Sequence, residues 1–177
     1  MATCLAFAAS CGDGGTGPTT TTATTIPVAL ASVAVTLVPN PVRATLSFNS
    51  DFPWEYGVTV VLTETAGLGG SVDFINTVLV SPIAGEGTPF NISAAAITQR
   101  AGTNHVNANS LLNIPFFFHL TAGGRNPNFI QENYEIQFTD ERGNVITGHA
   151  QLRINAPAST LRSITTLAPA HMEPYLR

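Results

Sequence analysis

Apolar and polar side chains alternate along most of this chain with a period of two. Val33, Val35 and Leu37 are separated by Ala34 and Thr36, and Val42, Ala44, Leu46 and Phe48 by Arg43, Thr45 and Ser47. Tyr56, Val58, Val60 and Leu62 lie opposite Thr59, Val61 and Thr63. Leu112, Ile114, Phe116, Phe118 and Leu120 form another set. Successive side chains of a strand point to opposite faces, so each run predicts a strand with one dry side. Between the runs stand turn formers: Pro39-Asn40-Pro41, Asn49 to Pro53, the glycine-rich stretch Glu64 to Gly70, and Pro82 to Pro89.

The clearest segment runs from Gln131 to Ile154. Tyr134, Ile136 and Phe138 alternate with Glu135, Gln137 and Thr139. Ile146, Gly148, Ala150, Leu152 and Ile154 then share one face, and Thr147, His149, Gln151 and Arg153 the other. Asp140 to Asn144 is the turn between them, with Gly143 free to take positive φ. Three stretches are less regular. Val72 to Val80 reads as a strand with mixed faces. Ser93 to Ile97 reads either as a helical turn capped by Ser93 or as irregular edge structure. Pro115, inside an otherwise strong strand, points to an edge or a bulge. Seven to eight short strands without a strong helix predict an all-β fold, an antiparallel β-sandwich over residues 26–155.

Composition narrows the function. The chain is 44% hydrophobic and 10% charged, enough apolar material for a core and too much for a disordered protein. Lys is absent and the net charge is −4, which argues against a nucleic-acid partner. No run of 18 apolar residues occurs, so no transmembrane helix is expected. Cys4 and Cys11 both precede the domain, which excludes a disulfide within it and leaves no zinc-ligand spacing.

Residues 1–11 are short and apolar, and Ala8-Ala9-Ser10-Cys11 resembles the lipobox of bacterial lipoproteins, whose cysteine is acylated. Position −3 is Ala where Leu is commonest, and no Arg or Lys forms a basic n-region; a start further upstream would supply one. The resemblance implies a lipid anchor at Cys11 and a place in the cell envelope, at the outer membrane or cell surface. Without lipid on Cys11 the chain would instead be secreted. Residues 12–25, rich in Gly and Thr, cannot supply a core and are expected to be a flexible tether. Residues 156–177 carry scattered apolar positions and are expected to be a loosely attached tail.

The run Tyr134-x-Ile136-x-Phe138-Thr139-Asp140-x-x-Gly143-Asn144 resembles the last hairpin of immunoglobulin-like (PKD-like) modules of bacterial surface proteins. Val60-x-Leu62-Thr63-Glu64-Thr65-x-Gly67 is similar to a strand-to-loop passage of such lipoproteins. The resemblance implies an Ig-like sandwich over residues 26–155. The antibody-type cysteine pair is missing, so Leu46 with Ile136 or Phe138 would fill its space.

Candidate chemistry is sparse. His119 and His149 read as outward strand positions, His105 as a loop residue, and His171 falls in the tail; no Gly-x-Ser-x-Gly elbow accompanies them. Asp140, Glu141 and Asn144 offer oxygens to Ca²⁺, but one short turn supplies too few, and Asp and Asn commonly bond their own turn. Gly67-x-Gly69-Gly70 lacks the Lys and helix of a phosphate cradle. Glu64 extends the apolar face of Tyr56 to Leu62, where it would accept backbone N–H bonds from the glycine loop. Trp54, Tyr56 and Tyr134 read as core, and Phe117 as an exposed contact residue. Asn91-Ile92-Ser93 matches a glycosylation acceptor that a bacterial lipoprotein would not ordinarily use. No catalytic residue, metal site or cofactor is assigned. The expected function is a non-catalytic, lipid-anchored envelope module for binding, adhesion or structure, with a protein or carbohydrate ligand. The alternatives are a carbohydrate-binding module, signalled by an exposed aromatic row with aligned Asn or Asp, and a small secreted enzyme, signalled by a His–acid–Ser cluster.

Overall fold

In a computed structural model of the chain, the described residues are 29–48, 52–120, 128–157 and 172–174. Cys11, the tether and most of the tail lie outside them. The strands in chain order are β1 (Val33–Val38), β2 (Val42–Arg43), β3 (Thr45–Leu46), β4 (Trp54–Glu64), β5 (Gly70–Ser81) and β6 (Gly85–Glu86). Then follow β7 (Phe90–Ser93), helix α1 (Ala94–Ala101), β8 (His105–Val106), β9 (Leu111–Leu120), β10 (Phe129–Asp140), β11 (Val145–Asn155) and β12 (Met172–Pro174). Among the described residues no helix is long and apolar enough to cross a membrane.

The strands form two packed sheets. The first has the order β1-β4-β9-β12, with β3 also on β4. The second has the order β2-β11-β10-β5, with β6, β7 and β8 each pairing β5. Every pairing is antiparallel except β2 with β11. This is an immunoglobulin-type β-sandwich, in which the two inner faces interdigitate to make the core.

The first extended segment changes sheets. β1 pairs β4, and after Pro39 and Pro41 the chain reappears as β2 beside β11. Proline has no N–H to give a ladder, so the crossing falls there. Asn40 stands in for the missing partner: its Nδ2 donates to the Gln151 carbonyl at 2.7 Å and its Oδ1 accepts from the Arg153 N–H at 3.2 Å. The continuous strand expected from Val42 to Phe48 is therefore two short pieces on different sheets. Val42 and Ala44 are buried, but Leu46 is 52% exposed and does not fill the space of the missing disulfide. Ile136 and Phe138 do lie in the core, with Leu62, Ile75, Phe116 and Phe118.

Local departures have local causes. The mixed faces of β5 come from a bulge: Gln137 pairs Phe74 but Phe138 pairs Val72, so Asp73 is an extra residue. Ser93 caps α1, its Oγ accepting from the Ala96 N–H at 3.4 Å, and Gly102 closes the helix at φ 80. Pro115 sits on β9 beside β4, and among the described residues β12 covers only Phe118 to Leu120 on the other flank. Among the described residues, then, no second strand pairs β9 at Pro115. Gly148 faces β1 so closely that a Cβ there would meet Val35 Cγ2 at 2.8 Å.

Trp54, Phe116, Phe118, Phe138 and Tyr134 are the largest fully buried side chains. Burying each contributes on the order of 2 kcal/mol, which makes them the main hold between the sheets.

Candidate functional site

Four polar constellations emerge, and their surroundings decide what each can do. Two are anchors for loops. Glu64 ends β4 on its buried face. Its Oε1 accepts from the Ala66 N–H at 2.7 Å and its Oε2 from the Gly67 and Asn109 N–H groups at 3.0 and 2.8 Å. Burial alone would raise its pKa, but the backbone donors of Asn109, Ala66, Ser32 and Leu68 outweigh it and hold the carboxyl at about 2. The sequence-based expectation for Glu64 is met. Asp140 does the same for the last hairpin: Oδ1 accepts from the Arg142 and Asn144 N–H groups, both at 2.9 Å. The Asn144 side chain is the main reason its pKa is lowered. Asp140 oxygens thus serve the turn, and among the described residues no cluster of three or more His, Cys, Asp and Glu side chains could hold a metal ion.

The third constellation crosses the core. Ile130, Glu132, Tyr134 and Ile136 share one parity on β10, so Glu132 points inward. It is fully buried, and Tyr56 Oη from the first sheet and Tyr134 Oη both donate to its Oε2 at 2.7 Å. Its Oε1 is buried without a hydrogen-bond partner. Burial pushes the Glu132 carboxyl up to about 7, and the hydroxyls of Tyr134, Tyr56 and Thr77 only partly oppose that. Burial, and then the nearby carboxylate, also push both tyrosines up. The group is sealed from solvent. It ties the sheets together.

The fourth lies at the rim. Ser71 on β5, His105 on β8 and Glu141 in the hairpin turn come together, a grouping that spacing in the sequence does not reveal. His105 is on a short strand paired with β5 rather than in a loop. Its Nδ1 is 3.4 Å from Ser71 Oγ, and its Nε2 is 3.9 Å from Glu141 Oε1. In a working triad the serine faces Nε2 and the acid holds Nδ1, so the ring is the wrong way round. Nearby backbone donors are also committed: Val72 N–H to Asn104 O, Glu141 N–H to Gly69 O, and His105 N–H to Thr103 Oγ1. These three N–H groups are not open to an oxyanion.

The outward face of the second sheet offers the richest open surface. Register places Asn91, Asn76, Glu135 and His149 in one row across β7, β5, β10 and β11. Asn91 Nδ2 donates to Asn76 Oδ1 at 2.6 Å, and Asn76 Nδ2 to Glu135 Oε1 at 3.3 Å. A neighbouring row joins Gln151 Nε2 to Asn133 Oδ1 at 2.9 Å and Gln131 Nε2 to Gln151 Oε1 at 3.4 Å. Asn76, Val78, Pro89, Asn133, Glu135 and His149 are among the residues that line a hollow of about 340 Å³. That size suits a small ligand or one unit of a longer one. Glu135, His149 and Gln151 were legible as outward positions, whereas Asn76 and Asn91 fall in stretches whose faces the sequence leaves open, and the alignment of all of them needed the strand register.

Trp54, Tyr56 and Tyr134 are core, as expected. Phe117 is half-buried rather than exposed: it lies over Gly57, where a Cβ would meet its ring at 2.9 Å. On the outward face of the second sheet, Phe129 is covered by the Arg153 guanidinium, 4.1 Å from the ring centre. The aligned amides expected of a carbohydrate-binding face are present, without an open aromatic row among the described residues. His119, half-buried on the first sheet, approaches Glu55 Oε2 at 3.4 Å. His149 is exposed, as expected, and His171 lies outside the described residues.

No family model and no curated protein matches the chain. Solved structures do. One, a structural-genomics target designated SoR45, is 9% identical with a TM-score of 0.51, covering 75% of this chain and 90% of its own. The ApaA protein of Bordetella pertussis is 10% identical with a TM-score of 0.50, covering 73% of this chain and 95% of its own. Murine CRIg is more distant, with 10% identity, a TM-score of 0.35 and coverage of 72% and 98%. At such identities the likeness to the first two concerns the fold alone, a sandwich that serves many activities.

Proposed function

We propose that this protein is a non-catalytic binding module, tethered to the envelope through an acylated Cys11, whose recognition surface is the outward face of β5, β10 and β11. The observation that carries the reading is the pair of cross-strand amide rows beside the Asn76–Asn133 hollow. Side chains on a paired sheet are held at fixed spacing, so these donors and acceptors are already positioned before a ligand arrives. The anchor and its PKD-like lipoprotein context rest on Ala8-Ala9-Ser10-Cys11, the polar tether and the hairpin motif. A multiply acylated cysteine holds a membrane stably, and the tether gives the domain reach.

Two measurements test this. The full chain with its upstream start, compared with Cys11→Ala, is partitioned between detergent and water, and the N-terminal peptide is weighed. Acyl mass on Cys11, with a soluble variant, supports the anchor; a free Cys11 removes it. Purified envelope polysaccharide and envelope protein fractions are then passed over the immobilised full chain. Binding lost in Asn76→Ala and kept in Asn113→Ala, which is exposed on the opposite sheet, supports the face. The reverse pattern refutes it.

The Ser71–His105–Glu141 grouping supplies a second reading, a small hydrolase with a rim site. Activated esters are the simplest probe. Turnover abolished by Ser71→Ala would establish that reading over the first, and the reversed ring and committed donors predict none.

A further inference from the structure

Resting on that reading of the face, we infer that the hollow on β5 and β10 binds a neutral polyhydroxylated chain, a glycan without charged substituents, by polar contacts rather than ring stacking. Three features of the surface lead there. Its groups are chiefly primary amides: Asn76, Asn91, Asn133, Gln131 and Gln151. A primary amide presents two donors and an acceptor without charge, which matches hydroxyls that both donate and accept. Among the described residues of this face an anionic ligand would meet no free arginine, and His149 is the one basic side chain in the lining. Arg153, the basic side chain at this face, is engaged by the Phe129 ring and by Asn155 Oδ1 at 3.2 Å, while Asp73 and Glu135 would repel it.

A protein partner fits poorly as well. Binding energy between proteins concentrates in Trp, Tyr and Arg set in desolvated pockets. Here Trp54, Tyr56 and Tyr134 are buried inside the sandwich. The less polar lining of the hollow includes Pro89, Val78 and His149. Those surfaces suit the C–H face of a saturated ring, while Asn76, Asn133 and Glu135 of the same lining meet its hydroxyls. Neighbouring strands lie about 4.8 Å apart, so successive amides across β5, β10 and β11 repeat along the direction a linear glycan would take.

The test titrates the full chain, labelled with ¹⁵N, with neutral hexose and pentose hexamers, a polygalacturonate hexamer and a glucosamine hexamer. The Asn76, Asn133 and Gln151 side-chain amide signals are followed by NMR. The expected result is saturable shifts of these signals with at least one neutral oligomer. Asn76→Ala and Asn133→Ala should each weaken binding about ten-fold, the loss of one or two hydrogen bonds, with Asn113→Ala unchanged. Binding of the charged oligomers alone overturns the inference, as does neutral binding that survives both variants. If no oligomer binds while the envelope protein fraction binds through Asn76, the glycan inference falls and the recognition face stands. If binding to every fraction ignores Asn76, both fall.

Discussion

Replacing Glu132 with Gln should stabilise this protein at neutral pH and remove most of its pH dependence above pH 4.5. The carboxyl has a folded-state pKa of about 7 against an ordinary value of 4.5, because burial disfavours its charge more than two tyrosine hydroxyls favour it. Below pH 4.5 the group is protonated in both the folded and the unfolded chain, and the fold keeps its full stability. Between 4.5 and about 7 the unfolded chain releases the proton while the folded one retains it, so stability falls as pH rises. Above 7 both are ionised and the loss is complete. At about 1.4 kcal/mol per pH unit, it comes to roughly 3 kcal/mol. A glutamine keeps the shape, and its carbonyl accepts from Tyr56 and Tyr134 while the charge is gone. Urea unfolding followed by the fluorescence of Trp54, the one tryptophan and 1% exposed, measures both proteins from pH 4 to 8. The two should agree within about 1 kcal/mol at pH 4.5, and the variant should be ahead by about 2–3 kcal/mol at pH 8. The difference between the curves isolates Glu132 from the histidines. A difference that stays flat across this range would refute the argument.

Tyr56→Phe removes one donor from the same carboxylate; it should cost about 2 kcal/mol at pH 8, where the acceptor is charged, and about 1 kcal/mol at pH 4.5, in the same unfolding assay. Glu64→Ala should loosen the loop after β4, seen as faster hydrogen exchange at Ala66, Gly67 and Asn109. Because the Glu64 pKa is lowered to about 2, its contribution is present above 4.5 and fades as pH falls towards 2, so the variant should also flatten the acid limb of the stability curve. Gly148→Val forces a branched side chain against Val35 Cγ2 and should destabilise by about 1–3 kcal/mol, read as a lower urea midpoint.

Much of this architecture is local in origin and so was legible in the residues. Period-two runs need only the strand's own geometry, and those from Trp54, Leu112, Gln131 and Ile146 fall within β4, β9, β10 and β11, four of the five long strands. Glu64 and Asp140 were readable as loop anchors for the same reason: a short acid at a strand end meets the N–H groups of its own turn. Ser93 as a helix cap is equally local.

What the residues could not settle depends on partners far along the chain. Val42 to Phe48 carries an unbroken alternation, yet which sheet each piece joins was decided by β11 on one side and β4 on the other, with Asn40 holding the crossing. Glu132 shows its inward parity in the sequence, but the donor that meets it from the other sheet is Tyr56, 76 positions away. Ser71, His105 and Glu141 come together only because β8 folds onto β5. Asn76, Asn133 and Gln151 are unremarkable polar residues until register sets them side by side. Alternation fixes which face a side chain occupies; hydrogen-bonded register, set by packing of the whole core, fixes its neighbours, and the candidate binding face is made of neighbours.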